Sequence, residues 1–474
     1  MTSDTTAPGT APAEGRQPEL KRAIGPKLLF FFVIGDILGT GIYALTGNVA
    51  SRIGGALWVP FVGAFVVAFL TAFSYLELVG KYPRAAGAAL YTNRAFRLPF
   101  LTFLVAFAVM CSGITSASSA SLAFGSAYLR QFWSAAPIVL VAIGFILVIA
   151  LINFRGVSES VKTNVVLTTI ELSGLLIIIG IGIYAIGTGA GELGRLTEIN
   201  PPADTGVLLA VTAATSLAFF AMVGFEDSVN MVEETKDPAR IFPRSLLSGM
   251  AGAGLIYVLV AITCSLLVSA PDLAAAGSGA LLRVVEVGAP GFNLDIFAAI
   301  GLLAVVNSAL INMLMASRLL YGMANERVLP RAFGTVHPFR RTPWVSILVT
   351  SAIAVALISI AGADGVARLG GTTSLLLLVV FTVVNIACLV LRRETVEHKH
   401  FRAPTWAPVL GAVLCAYLAI PVLSGRPADD YYIAIGLVAV GIVLWFVNRL
   451  FVGKVEFDPR KLTKEGAAGP ADRE

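Results

Sequence analysis

Apolar positions along this chain neither alternate nor recur on one face only; they come in long runs separated by short polar links. Runs of about 18 to 25 residues match the roughly 20 that a helix needs to cross the hydrocarbon of a bilayer. They predict helices near 28–48, 56–79, 101–127, 137–153, 163–186 and 207–231. Six more follow near 245–269, 292–317, 344–361, 371–391, 406–423 and 432–452. The expectation is an all-α integral membrane chain of twelve transmembrane helices. An even number puts both termini on one side.

The links between the runs carry the next signal. Counted link by link on alternating sides, 27 of the 34 Lys and Arg residues fall on one face and six on the other, and Arg449 lies near the end of the last run on the richer side. Those six are Arg52, Arg130, Arg195, Arg283, Arg368 and Arg426, one in each link. Short basic loops stay cytoplasmic, so both termini are expected in the cytoplasm of a multi-pass plasma-membrane protein, of the bacterial cell membrane type. A miscounted helix would scramble the alternation.

Composition agrees with the pattern. The chain is 57% hydrophobic and 13% charged, with a mean hydropathy of +0.84, against about 25% charged residues in an ordinary soluble domain. A soluble enzyme is excluded. The net charge of +5 does not point to nucleic acid, because the basic residues sit in loops where they orient a chain in a lipid bilayer. Residues 1–27 open with a stretch rich in Thr, Ala, Pro and Gly that lacks the form of a cleaved signal peptide, and they read as a disordered cytoplasmic tail. A second charged tail is expected at 453–474. Cys111, Cys264, Cys388 and Cys415 all fall within apolar runs without CxxC spacing, so neither a disulfide framework nor a zinc site is implied. His337, His398 and His400 lie in loops. No metal or cofactor is expected.

Two runs are interrupted. The first reads Val33-Ile34-Gly35-Asp36-Ile37-Leu38-Gly39-Thr40-Gly41-Ile42-Tyr43, with three glycines and a carboxylate near mid-membrane. Each Gly costs up to about 1 kcal/mol of helix propensity, and an Asp at a helix centre costs about 2.5 to 3.5 kcal/mol on insertion scales. Close helix packing by the Gly35/Gly39 GxxxG pair would explain the glycines, but not Asp36. The sixth run reads Phe219-Phe220-Ala221-Met222-Val223-Gly224-Phe225-Glu226-Asp227, again breaking at Gly followed by acid. It enters the membrane from the opposite side, five helices later. Breaks at corresponding places in two halves of opposite direction point to an inverted-repeat secondary transporter, although the halves show no useful residue-level repeat.

Unwinding a helix frees backbone groups that lipid does not tolerate unless they line a cavity. Freed N–H groups around Gly39, Thr40 and Gly41, at the positive end of the second half-helix, suit a carboxylate. Carbonyls ending the first half-helix suit an ammonium group. Together they fit an amino-acid zwitterion.

These stretches resemble the amino acid permeases of the amino acid/polyamine/organocation superfamily, whose first helix reads GxGxxxGxGIF around a broken segment. Tyr75-Leu76-Glu77-Leu78 with Tyr82-Pro83-Arg84-Ala85-Ala86-Gly87 is similar to the family's YxEL…YPxxGG loop. Phe219 to Glu226, then Glu233 to Arg240 and Pro243-Arg244, resembles its FFAFxGFE…EExKNPxRxxPR stretch. Ala316 to Tyr321, with Met323-Ala324, Leu329-Pro330 and Arg341-Thr342-Pro343, resembles its eighth-helix signature. The matches cover most of 28–345. The resemblance implies a ten-helix core of two inverted five-helix repeats, the leucine-transporter type, over 28–391, with helices 11 and 12 over 392–452. It also implies that Gly39, Thr40 and Gly41 hold a substrate carboxylate, that carbonyls near Ile37, Phe220 and Val223 take its amino group, and that Phe220 lies against the substrate as a gate. Glu226, the family's GFE acid, is expected to organise the second break.

Two departures bear on charge. Many of these permeases have Ala or Asn at the position of Asp36; a carboxylate there could pair with a second amine and favour cationic substrates, take a proton, or cap freed backbone. Glu171 falls where several sodium-independent relatives have a lysine that replaces a sodium ion, so that lysine mechanism does not transfer. A carboxyl buried among apolar helices suits proton coupling; sodium coordination and a structural hydrogen bond stay open.

The chain has no GxxxxGK[ST] phosphate loop and no membrane-embedded nucleophile arrangement, so it is not expected to be an enzyme. The expected activity is transport of amino acids by alternating access, coupled to protons or by exchange. A polyamine or simple amine transporter of the same fold is the alternative, and a channel is the rival of another class.

Overall fold

The structure is a computed structural model that describes residues 24–83, 87–156, 161–202 and 205–452. Most of the N-terminal tail and all of 453–474 lie outside these residues, as do Arg84, Ala85 and Ala86 of the YPxxGG-like loop. Among the described residues the chain is helical, with two isolated β-bridges.

Among the described residues ten helical spans, the first of them interrupted, are long and apolar enough to cross a membrane, and they fall on ten of the twelve expected runs. The other two are shorter. Ile138–Phe154 has 17 residues and Trp406–Ala419 has 14. The second is cut short by Pro421, which holds the preceding Ile420 in an extended conformation (ψ 127°) and starts a four-residue turn, Pro421–Ser424.

The first run is two helices, α1 (Pro26–Ile37) and α2 (Thr40–Ile53), separated by Leu38 and Gly39. Then come α3 (Trp58–Lys81), α4 (Gly87–Phe96), α5 (Pro99–Ala123), α6 (Ile138–Phe154) and α7 (Val161–Thr188). The sixth run begins as α8 (Val207–Ala218), tightens to a 3-10 turn at Phe219–Met222, and breaks at Val223 and Gly224. It resumes as 3-10 helix over Asp227–Glu234. After α9 (Pro238–Leu267), two short helices, α10 (Ala270–Ala276) and α11 (Ala280–Gly288), lead to α12 (Leu294–Asn325), α13 (Trp344–Ala361) and α14 (Val366–Leu391). The chain closes with α15 (Trp406–Ala419), α16 (Pro421–Ser424) and α17 (Ala428–Val452).

The interrupted helices are central. Helix α1 packs on α7 and α9, α2 on α8 and α10, and α5 lies against both α12 and α14. Large apolar side chains such as Leu140, Ile183, Leu348, Ile360 and Leu450 point away from the bundle. An outward apolar surface of this extent suits lipid rather than water. At the end of the bundle where α3 and α14 finish, the 392–405 link is strapped down. Arg392 grips the Glu77 carboxylate with two bonds of 2.9 and 2.6 Å, and the Ala403 N–H donates to the same carboxylate at 2.9 Å. Lys81 Nζ donates to the Glu394 carbonyl, and the Tyr82 hydroxyl to its carboxylate at 2.5 Å. Glu77, part of the YxEL-like motif, therefore anchors a loop.

Candidate functional site

The two breaks meet backbone to backbone. A Cβ added to Gly41 would lie 2.7 Å from the Ala221 Cβ, and one added to Gly224 would lie 2.8 Å from the Asp36 carbonyl carbon. Gly224 has φ +121°, which side-chain-bearing residues rarely adopt. Glycine is needed at both positions, for close approach at Gly41 and for both conformation and approach at Gly224.

At this junction is a cavity of about 50 Å³. Its walls include Asp36, Ile37, Gly39, Thr40, Gly41, Phe220, Val223 and Glu226, which is every sequence-derived site residue except Glu171. Glu171 stands one helix back on α7, fully buried, its backbone carbonyl accepting the Tyr43 hydroxyl at 2.6 Å. Tyr43 belongs to α2, so Glu171 touches the second half of the first interrupted helix rather than the cavity itself.

The freed backbone groups are partly engaged. The Thr40 N–H donates to Ser308 Oγ on α12 at 3.2 Å, while the buried Thr40 hydroxyl finds no hydrogen-bond partner among the described residues. A buried hydroxyl without a partner is uncommon, and this one lines the cavity. The Ile37 carbonyl already accepts the Tyr257 hydroxyl of α9 at 2.6 Å, which leaves it one lone pair. The Gly224 N–H donates to the Glu226 carboxylate at 2.9 Å, so this acid closes over the break two residues before it. Of the paired phenylalanines, Phe220 lines the cavity, and Phe219 is buried edge-on against Phe381 with ring centroids 6.0 Å apart.

Electrostatically the lining is one-sided. Asp36, Glu226 and Asp227 contribute carboxyl groups, and among the described residues no Lys, Arg or His lines the cavity. The opposite wall is neutral and small: Ser112, Gly113 and Ser116 of α5, Ser308 and Asn312 of α12, and Thr373 of α14. Sequence reasoning missed these. Their signal was helical spacing, because 109, 112, 113 and 116 share one face of α5 and 308, 312, 315, 316 and 319 share one face of α12. Asn312 donates to the Ser308 carbonyl of its own helix at 2.8 Å.

Comparison with known proteins gives the family. The chain is 27% identical over 459 residues to the methylthioribose transporter of Bacillus subtilis, covering 92% of this chain and 95% of that protein. It is 24% identical to the branched-chain amino acid permease BcaP of Bacillus subtilis, over 86% of this chain and 90% of the relative. To the low-affinity putrescine importer PlaP of Escherichia coli it is 26% identical, over 80% and 84% of the two chains. The profile of the amino acid permease family matches 24–447. With its long apolar helices and its permease relatives, the chain is a multi-pass membrane transporter of small molecules and belongs to the amino acid permease family.

Proposed function

We propose that this permease moves amino acids by alternating access, binding the zwitterion where its two interrupted helices meet. The observation that carries the proposal is the cavity at the backbone junction of Gly41 with Ala221 and Gly224 with Asp36. Thr40 and Gly41 present the start of a half-helix to it, where backbone N–H groups favour an anion, and Ser308 adds a hydroxyl. Carbonyls at Ile37, Phe220 and Val223 face the amino group. The fold is read as twelve helices, the first ten in two inverted five-helix repeats, with both termini cytoplasmic, a reading supported by the basic loops.

Three carboxyl groups with no basic residue among the lining favour a substrate that carries an additional amine. A cationic amino acid satisfies both walls. A polyamine would use the acidic wall alone and leave Thr40 and Ser308 without a carboxylate. Burial of Glu171 against α2 supports a coupling role, with a proton as the coupled ion; sodium is the alternative. Both follow from one experiment: counterflow in proteoliposomes loaded with each amino acid or its decarboxylated amine, with and without sodium and across pH. Exchange that requires the carboxylate supports the amino-acid reading. Equal exchange of the decarboxylated amines transfers the assignment to polyamines, and absence of substrate-driven exchange to a channel.

A further inference from the structure

Arg426 lies in the short link between α16 and α17, and its side chain is fully buried. Its guanidinium gathers four acceptors from three helices, α8, α14 and α15. Nε donates to the Leu418 carbonyl at 3.0 Å, Nη1 to the Gly371 carbonyl at 2.8 Å, and Nη2 to the Ser216 carbonyl at 3.1 Å and Ser374 Oγ at 2.8 Å. Ser374 Oγ itself donates to the Ser216 carbonyl at 2.5 Å. Ser216 stands four residues before Phe220, and Thr373, next to Ser374, lines the cavity. The guanidinium thus sits directly behind the cavity wall.

The same link, with α16 before it, holds α8 along its length. Gly425, at φ +62°, approaches Leu209 so closely that a Cβ would lie 2.7 Å from the Leu209 carbonyl oxygen, and Thr212 donates to the Leu423 carbonyl at 3.3 Å. Arg52, in the last turn of α2, donates to the Ala213 carbonyl of α8 at 2.9 Å. Both outer half-helices are therefore tied together, and one of them is tied to α14 and the C-terminal link.

One counter-charge serves this cluster. Asp430 is fully buried, 3.5 Å from Arg426, and interacts electrostatically with Arg52 as well. Four of the five Arg426 N–H donors go to three carbonyls and the Ser374 hydroxyl, and the one left on Nη1 stands 3.5 Å from the Asp430 carboxylate, too far for a close charge-assisted hydrogen bond. Such an ion pair neutralises charge without interlocking, so it can part without breaking a bidentate grip. Apolar packing would serve stability equally well; an arginine collecting carbonyls from several segments fixes position instead.

The cavity's exposure runs the other way. Its lining is buried at Thr40, Gly41, Ser116 and Thr373, and partly exposed at Asp36, Ser308 and Asn312 and on through Asp227, Met315 and Leu319 toward the end where α12 finishes. The end holding Arg52, Arg426 and Asp430 is the closed one.

We infer that Arg426 and Asp430, with Arg52, form a latch that holds the outer halves of both interrupted helices shut, and that loading the cavity from that end requires the latch to release. The inference rests on the alternating-access reading and makes Arg426 a positioning residue.

The test uses the full chain with Ser116→Cys as reporter and a membrane-impermeant maleimide as probe, applied to intact cells and to inside-out vesicles. The four native cysteines are buried, so the chain without the reporter is the blank. The reporter should label from inside-out vesicles only. Adding Arg426→Gln, or the isosteric Asp430→Asn where the first fails to fold, should raise labelling from intact cells about tenfold, within the usual range for a contact that biases a two-state equilibrium. An unchanged rate from intact cells in the folded variants, with vesicle labelling intact, overturns the latch alone. A reporter that labels from neither side overturns the cavity reading and the latch with it.

Discussion

The backbone of Gly41 lies against that of Ala221 so closely that a methyl group at Gly41 would come 2.7 Å from the Ala221 Cβ. Two helices broken at different points of the chain therefore share one seam, and the cavity opens from it. Main-chain groups freed by both breaks face the same small volume, which uninterrupted helices could not arrange.

The second half of the seam depends on Gly224. Replacement by Ala would place a side chain at φ +121° and 2.8 Å from the Asp36 carbonyl carbon. Left-handed backbone alone costs a non-glycine residue about 1 to 2 kcal/mol, and the clash adds to it. Gly224→Ala should lower the thermal midpoint of the purified protein and reduce uptake to below about a tenth. A variant with wild-type melting and transport would mean the junction relaxes without consequence.

On the proposed reading, Ser308 is the residue that separates amino acids from decarboxylated amines. Its hydroxyl accepts from the Thr40 N–H at the proposed carboxylate subsite. Ser308→Ala should raise the KM for amino acids about tenfold, the loss of one hydrogen bond to a charged group, and leave decarboxylated amines unaffected. Equal losses for both classes would show that Ser308 does not read the carboxylate.

Glu171 is buried with its backbone on Tyr43 of α2. If its carboxyl carries the coupled proton, Glu171→Gln should flatten the pH dependence of uptake more than it weakens exchange. Unchanged pH dependence, measured in proteoliposomes with an imposed proton gradient, would remove it from coupling.

Glu77 and Arg392 answer to stability. Both are largely buried, and Glu77 also accepts the Ala403 N–H. Removing one partner of a buried pair costs about 3 to 5 kcal/mol, so Glu77→Ala should melt well below wild type while the surviving folded fraction keeps its substrate preference. A shifted preference without loss of stability would place Glu77 in selectivity instead.

Much of this architecture was legible from the residues. Apolar runs found the helices because a membrane helix needs only length and hydropathy, and glycine beside acid marked both breaks because close helix packing explains the glycines but not a carboxyl in an apolar run. What escaped were side chains whose meaning depends on neighbours. Ser308 and Thr373 are ordinary small polar residues in apolar helices until packing sets them across from Thr40 and Phe220. Arg426 counted as one of six sparse loop cations, yet its side chain turns inward because carbonyls of α8, α14 and α15 converge there. Helix α15 fell short of its expected length because Pro421 ends it.

The most direct measurement is binding to purified protein, read as thermal stabilisation across all amino acids and their decarboxylated amines, for wild type and Gly41→Val side by side. Wild type should be stabilised by at least one amino acid, and Gly41→Val, though folded and inserted, by none. Equal stabilisation of both proteins by the same compound would place the binding site away from the seam between the two broken helices.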